Sequence, residues 1–243
     1  MIDEPSGPFT VAIIAITVLL SGGAFASPPF MEKYLFDREM ITRYGQFYRL
    51  VTSGFLHANW AHLGINMFSF YSFGGYIEDL VGPATLVAVY FSSIIGGSLL
   101  SLLLHRGHPY RALGASGGVC GIVFASIFLV PGTSVYVFPI PVPVPSSIFA
   151  LLFIAISFFG IQSRRGNIGH DAHLGGAIIG LIVTTVLHPR IVAERFTLWT
   201  VVMGISVALF IYLYRSPRFR YGRLRIVRGT NHERNEWPRD SNR

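Results

Sequence analysis

Runs of residues without Asp, Glu, Lys or Arg divide this chain. Phe9–Ala26 is 18 residues long, Leu50–Ile77 is 28, Leu80–Leu104 is 25, Ala112–Ser163 is 52, Ala172–Pro189 is 18 and Phe196–Tyr214 is 19. A helix needs about 20 apolar residues to cross the hydrocarbon core of a bilayer. The longest run is therefore two spans, divided at Phe138–Pro145, where alternating prolines cannot continue a helix. The pattern predicts seven transmembrane helices, near residues 9–26, 61–78, 83–104, 116–130, 146–162, 171–188 and 196–214. Backbone groups in lipid must be satisfied within a helix or a closed barrel, and these runs are too long for barrel strands. The expected fold class is an all-α polytopic membrane protein without internal repeats.

The connections differ in character. Ser27–Asn59 is long and mixes charges with Phe30, Tyr34, Phe36, Tyr44, Phe47 and Tyr48. Such a segment is too polar to span and too aromatic to float free, so it is expected at the interface, partly embedded. Ala24-Phe25-Ala26 before Ser27 looks like a signal-peptidase site. The segment before the first helix, however, carries Asp3 and Glu4 and no Lys or Arg, so the helix is expected to be retained.

Composition agrees with the pattern. Of 243 residues, 51% are hydrophobic and only 13% charged, too few to cover a soluble globule. The one cysteine, Cys120, excludes an internal disulfide and any multi-cysteine metal site. The net charge of +7 is concentrated: nine arginines lie in Arg215–Arg243, an expected disordered tail that suits an anionic membrane surface. Nothing beside it resembles a nucleic-acid reading module.

Polar residues inside spans are costly and mark candidate chemistry. His62 and Asn66 are four apart, hence one turn apart on one helical face, and both can donate hydrogen bonds to a developing oxyanion. By themselves they also fit helix-start polarity at the headgroup level. His57, just before that helix, fits such polarity or a structural hydrogen bond. In Gly114-Ala115-Ser116-Gly117-Gly118 a serine opens a helix, where its hydroxyl and the free first-turn N–H groups face one small volume. Such clusters are also common packing surfaces. Gly117 with Gly121, and Gly176 with Gly180, form two GxxxG faces. His173 shares the second face. Mating the two would bring hydroxyl and imidazole within hydrogen-bond reach, so that His173 could serve Ser116 as base. Asp171 is two residues from His173 and points to nearly the opposite side, which excludes it as a third member. His170 is expected at the interface. A zinc site of His57, His62 and His173 would lack a neighbouring carboxylate and the HExxH pattern.

Taken together, these residues resemble the rhomboid intramembrane serine proteases. The match consists of HAxxxHxxxN (His57, His62, Asn66), GxSG (Gly114, Ser116, Gly117) and AHxxG (Ala172, His173, Gly176), with 57 residues from Ser116 to His173. Arg49 and Glu78 fall where that family has a loop arginine and a helix-closing glutamate. The resemblance covers about Gln46–His188. It implies a six-helix catalytic core over 9–190, with 27–59 as its first loop. An added seventh helix occupies 191–214, and tails lie at 1–8 and 215–243. It implies Ser116 as nucleophile, His173 as base in a dyad without an acid, and an oxyanion hole from His62, Asn66 and the Ser116 N–H. Gly114 would shape the loop before the nucleophile, and His57 would support the site.

The resemblance also implies single-span membrane proteins as substrates, lateral access framed by the first loop and a mobile fifth helix, and no cofactor or metal. The bilayer is the other expected partner, at the cell membrane. Two positions depart from the family. Tyr48 replaces a tryptophan, and Cys120 stands where an aromatic ring usually backs the histidine, leaving less to stack on His173. The rival readings are a catalytically silent rhomboid-like binder or chaperone, which would be expected to lose Ser116 or His173, and a small transporter. Orientation is pulled two ways. The basic loops and tail share the side of the first loop, which charge bias assigns to the cytoplasm; the resemblance turns that side outward.

Overall fold

In the computed structural model, residues 7–130, 132, 134–136, 142–163 and 169–216 are described. The predicted N-terminal tail up to residue 6, Phe138–Pro141 of the proline run, Arg164 with Arg165, and the arginine tail from residue 217 lie outside them. The protein is a multi-pass helical membrane protein. Among the described residues, four helices are long and apolar enough to cross a bilayer: α1 (Pro8–Ala26), α6 (Pro83–Leu104), α9 (His170–Leu187) and α11 (Phe196–Arg215). α5 (Trp60–Val81) is equally long but carries His62, Asn66, Glu78 and Asp79. α7 (Ser116–Leu129) and α8 (Ser146–Ser163) are shorter and apolar. These seven lie at the predicted positions, with ends shifted by at most three residues.

The fold is mostly helical, as predicted, and among the described residues the loops add two short antiparallel ladders. The long first loop folds into α2 (Pro28–Tyr34), β1 (Phe36–Asp37), α3 (Arg38–Tyr44), α4 (Arg49–Thr52) and a 3-10 turn. β1 pairs with β2 (Arg111–Ala112), just before the loop that leads into Ser116. The second ladder joins β3 (Ser134–Tyr136) to β4 (Pro143–Pro145), so this part of the proline run is paired strand. A short helix, α10 (Pro189–Ala193), leads into α11. Local chemistry sets the limits. Asp37 caps α3 by accepting the N–H groups of Glu39 and Met40. Asn59 caps α5 by accepting the His62 N–H at 2.8 Å. Gly82 (φ +87°) and Pro83 turn α5 into α6.

The core is built around α7, whose 14 residues are almost all buried. At 1.5 Å per residue it is about 21 Å long, roughly 9 Å short of the hydrocarbon thickness. If its C-terminal end is near one surface, its first residue, Ser116, is recessed below the other. α9 packs closely against both α6 and α7, and glycine makes this possible. A Cβ on Gly176 would collide with the Gly117 backbone, and one on Gly180 with the Gly121 backbone. A Cβ on Gly175 would lie 2.9 Å from the Gly96 carbonyl oxygen and the Gly97 Cα.

α1 is wired into the bundle at both ends. The buried Glu78 carboxylate accepts the Phe9 N–H at 3.0 Å, the Thr10 N–H at 2.7 Å and the Thr10 hydroxyl at 2.8 Å. A carboxylate at a helix N-terminus satisfies orphan donors and complements the helix dipole. Toward the other end, the Ser21 hydroxyl donates to the Phe55 carbonyl oxygen at 2.8 Å. α1 is thus tied to the rest of the fold by these hydrogen bonds.

Glu78→Ala should lower stability in detergent by about 3 kcal/mol or more, since it strands three donors at a buried helix start. Glu78→Gln keeps an acceptor and should cost less. Chemical unfolding followed by tryptophan fluorescence would show the order wild type, Gln, Ala; equal midpoints for all three would contradict this role.

Candidate active site

Ser116 opens α7, and His173 lies in the first turn of α9. The glycine contacts that hold the two helices together set their spacing. His173 Nε2 lies 2.7 Å from Ser116 Oγ, and both side chains belong to half-exposed residues. The serine hydroxyl can donate to Nε2, which leaves the other imidazole proton on Nδ1. The first intrahelical bond of α7 is donated by Val119 to the Ala115 carbonyl, so helix geometry leaves the N–H groups of Ser116, Gly117 and Gly118 without an intrahelical acceptor. They form a donor cluster beside the hydroxyl.

The loop before Ser116 is fixed residue by residue. Gly114 has φ +133°, a conformation L side chains avoid, and a Cβ there would meet the His62 ring at 2.9 Å. Its N–H donates to the Ser53 carbonyl at 3.0 Å. The Ala115 N–H donates to His57 Nε2 at 3.3 Å. His62 is half-exposed and faces this loop, while Asn66 is buried and donates from Nδ2 to the His62 carbonyl at 2.9 Å. One N–H of the Asn66 amide is therefore occupied within α5. A cavity of about 30 Å³ lies behind the loop, lined by Ser53, Ser98, Ser101, Gly114, Gly117 and Ala172; it has room for one water.

A family model described as the rhomboid domain matches residues 44–190, more than half of the chain. The chain belongs to the rhomboid family. It is 31% identical over 158 residues to the mitochondrial Rhomboid protein 1 of Saccharomyces cerevisiae, covering 63% of this chain and 45% of that protein. It is 26% identical over 213 residues to the rhomboid protease GluP of Bacillus subtilis, covering 84% of this chain and 40% of that one. It is 28% identical over 228 residues to the rhomboid protease AarA of Providencia stuartii, covering 84% and 81% respectively. The chain spans about half the length of the first relatives it matches.

Within this rhomboid domain the remaining candidate residues separate by position. Arg49 is buried and holds the first loop: its Nη1 donates to the Glu32 and Leu35 carbonyls and its Nε to Gln46 Oε1. Tyr48 is exposed, with its ring 5.7 Å from the Arg49 guanidinium. Asp171 turns away from His173. Its Oδ2 pairs with His105 Nε2 at 3.1 Å, and its Oδ1 accepts the Tyr110 hydroxyl at 3.2 Å. Burial, with Asp171 adjacent, pushes the Tyr110 phenol above its usual range, so it remains a donor. Among the described residues, no group of three His, Cys, Asp or Glu could hold a metal ion.

His57 is fully buried behind the loop that leads into Ser116, where its ring makes a structural hydrogen bond of the kind the sequence allowed. The imidazole of His173 is not left without a ring. Cys120 is buried in the core, but Phe153 of α8 presents its ring 6.5 Å from that of His173, inclined by 29°. Sequence reasoning missed Phe153, Ser21 and Ser53, because each reaches the site from another element and none sits in a motif. The Gly96-Gly97 and Gly175-Gly176 pairs were a readable signal for the α6–α9 contact.

Burial, reinforced by His62 alongside, pushes the His57 pKa from 6.5 down to about 3. Between these values the unfolded chain takes up the proton and the folded chain does not. The His57 contribution is thus fully present above about pH 6.5 and is lost as pH falls toward 3. Unfolding midpoints measured across this window should show a shallower pH dependence in His57→Gln than in the wild type; identical slopes would contradict a buried neutral imidazole.

Proposed function

We propose that this rhomboid-family protein is an intramembrane serine endopeptidase that cleaves transmembrane segments of other membrane proteins. The observation that carries this reading is the 2.7 Å approach of Ser116 Oγ to His173 Nε2 at the start of α7. His173 takes the hydroxyl proton as Oγ attacks the scissile carbonyl. The oxyanion is met by the Ser116 N–H, with His62 and Asn66 as further donors. The imidazolium returns the proton to the leaving amine, and an ester links substrate to Ser116. Water, deprotonated by His173, then attacks the ester and releases Ser116. The small cavity beside Gly114 and Gly117 supports a local supply of that water.

Asp171 has no part in these steps, because His105 and Tyr110 occupy its oxygens. The dyad relies instead on the packing of α9 against α7 and on the Phe153 ring to orient the imidazole. A substrate helix must unwind locally, since a helical backbone shields its carbonyls; helix-breaking residues lower that cost. The exposed row Ile148, Leu152, Ile156 and Phe159 on α8, and Ile65 with Phe68 on α5, offer apolar faces along which a single-span substrate could arrive. The pairing of serine with histidine favours an enzyme over a silent binder. Relatives carry mitochondrial, chloroplastic and bacterial names, so the reading specifies a multi-pass protein and no particular membrane.

Proteoliposomes containing the full chain and a panel of single-span membrane proteins test this reading. The wild type should yield discrete fragments in the presence of EDTA. Ser116→Ala and His173→Ala should yield none while keeping wild-type unfolding midpoints within a few degrees. Asp171→Asn should retain cleavage. Asn66→Ala should lower kcat by about 10²–10³ with a smaller effect on KM, since the oxyanion exists only in the transition state. Cleavage by Ser116→Ala, or loss with EDTA and recovery with zinc, would overturn the assignment.

A further inference from the structure

His57 is one of the buried titratable groups that the mechanism does not use. It is fully buried, lies between α1 and the nucleophile loop, and has both ring nitrogens engaged. The partners fix its protonation pattern. The Ala115 N–H can only donate, so Nε2 must be the acceptor. The neutral ring then carries its hydrogen on Nδ1, which lies 3.0 Å from Ser21 Oγ. Ser21 already spends its own hydrogen on the Phe55 carbonyl and is free to accept. The chain of bonds therefore runs one way, from the Ala115 amide through His57 and Ser21 to the Phe55 carbonyl. A second proton on His57 would set an N–H against the Ala115 N–H and break the chain.

We propose that His57 is a positioning residue for the nucleophile, tying the peptide immediately before Ser116 to α1 through this directional relay. The inference rests on Ser116 being the nucleophile. Ala115 directly precedes it, so the orientation of the Ala115 amide sets the position of Ser116 and its N–H. Gly114 on the other side is fixed by Ser53 and by contact with His62. With both preceding amides bonded, the next free N–H is that of Ser116, the one expected to meet the oxyanion. The relay also gives α1 a role in the reaction, although none of its residues touches the dyad.

The two amide substitutions separate the halves of the relay. In His57→Gln the side-chain oxygen can reach the Nε2 position and accept from Ala115. In His57→Asn the shorter amide can serve Ser21 but cannot reach Ala115. The full-length chain in detergent would be treated with an alkyl fluorophosphonate, and kinact and KI measured for the phosphonylation of Ser116. His57→Asn should lower kinact about tenfold with little change in KI, whereas His57→Gln should stay within about threefold of the wild type. Ser21→Ala, a smaller lesion, should fall between them.

Hydrogen exchange of the peptide containing Ala115, measured without the probe, should be faster than wild type in His57→Asn and near wild type in His57→Gln. Equal kinact for the two amide variants, a loss confined to KI, or unchanged exchange in His57→Asn would each overturn the relay. A wild-type chain that is not labelled at Ser116 would instead overturn the nucleophile assignment, and the exchange measurement would still decide whether His57 holds the loop.

Discussion

The contact between the α7 and α9 backbones is the constraint on which the rest of the structure depends. Two helices with ordinary side chains pack 8–10 Å apart. Here glycine removes the spacers: Gly176 meets Gly117 and Gly180 meets Gly121, backbone against backbone. Ser116 and His173 project from the same pair of helices, next to the first of these contacts. Their 2.7 Å separation therefore follows from packing that is indifferent to chemistry. The opposite side of α9 repeats the device against Gly96 and Gly97 of α6. α9 is held between two neighbours, and its histidine has little freedom to move away from the serine.

Around that fixed pair, the polar residues divide by what they hold. Arg49 holds the first loop together, Glu78 holds the start of α1, and His57 with Ser53 holds the loop before Ser116. Asp171 joins His105 and Tyr110 into a separate cluster at the loop after α6. Each buried polar group in lipid needs a partner, and these partners connect elements that are distant in the chain. The β1–β2 ladder adds a further tie, bringing the first loop against the segment that leads into Ser116. α8 contributes Phe153 beside His173, so this helix, too, touches the site.

Much of this was legible in the sequence, for physical reasons that differ by residue. The seven helices could be read because charge is excluded from hydrocarbon, and Phe9–Ala26 or Phe196–Tyr214 show that exclusion directly. The rejection of Asp171 followed from helical periodicity alone, and the structure turns its carboxylate toward His105. The two GxxxG faces suggested their own pairing. What could not be read was contact between elements without a shared pattern. Ser21 is one serine among many in an apolar helix, yet it bonds to the buried His57. Phe153 is one phenylalanine in a run of them, yet its ring approaches the His173 imidazole. The first loop hid its short helices and strand because their lengths are too small for periodicity to declare.

The central claim is that packing of α9 on α7 makes Ser116 a nucleophile served by His173. The most direct test is to treat the full chain with an alkyl fluorophosphonate, digest it and locate the adduct by mass spectrometry. The account predicts one phosphonyl group, on the peptide containing Ser116, in the wild type, and no adduct when His173→Ala removes the base or Gly176→Val separates the two helices. An adduct on another residue, or labelling of Ser116 that is unchanged in both variants, would contradict it.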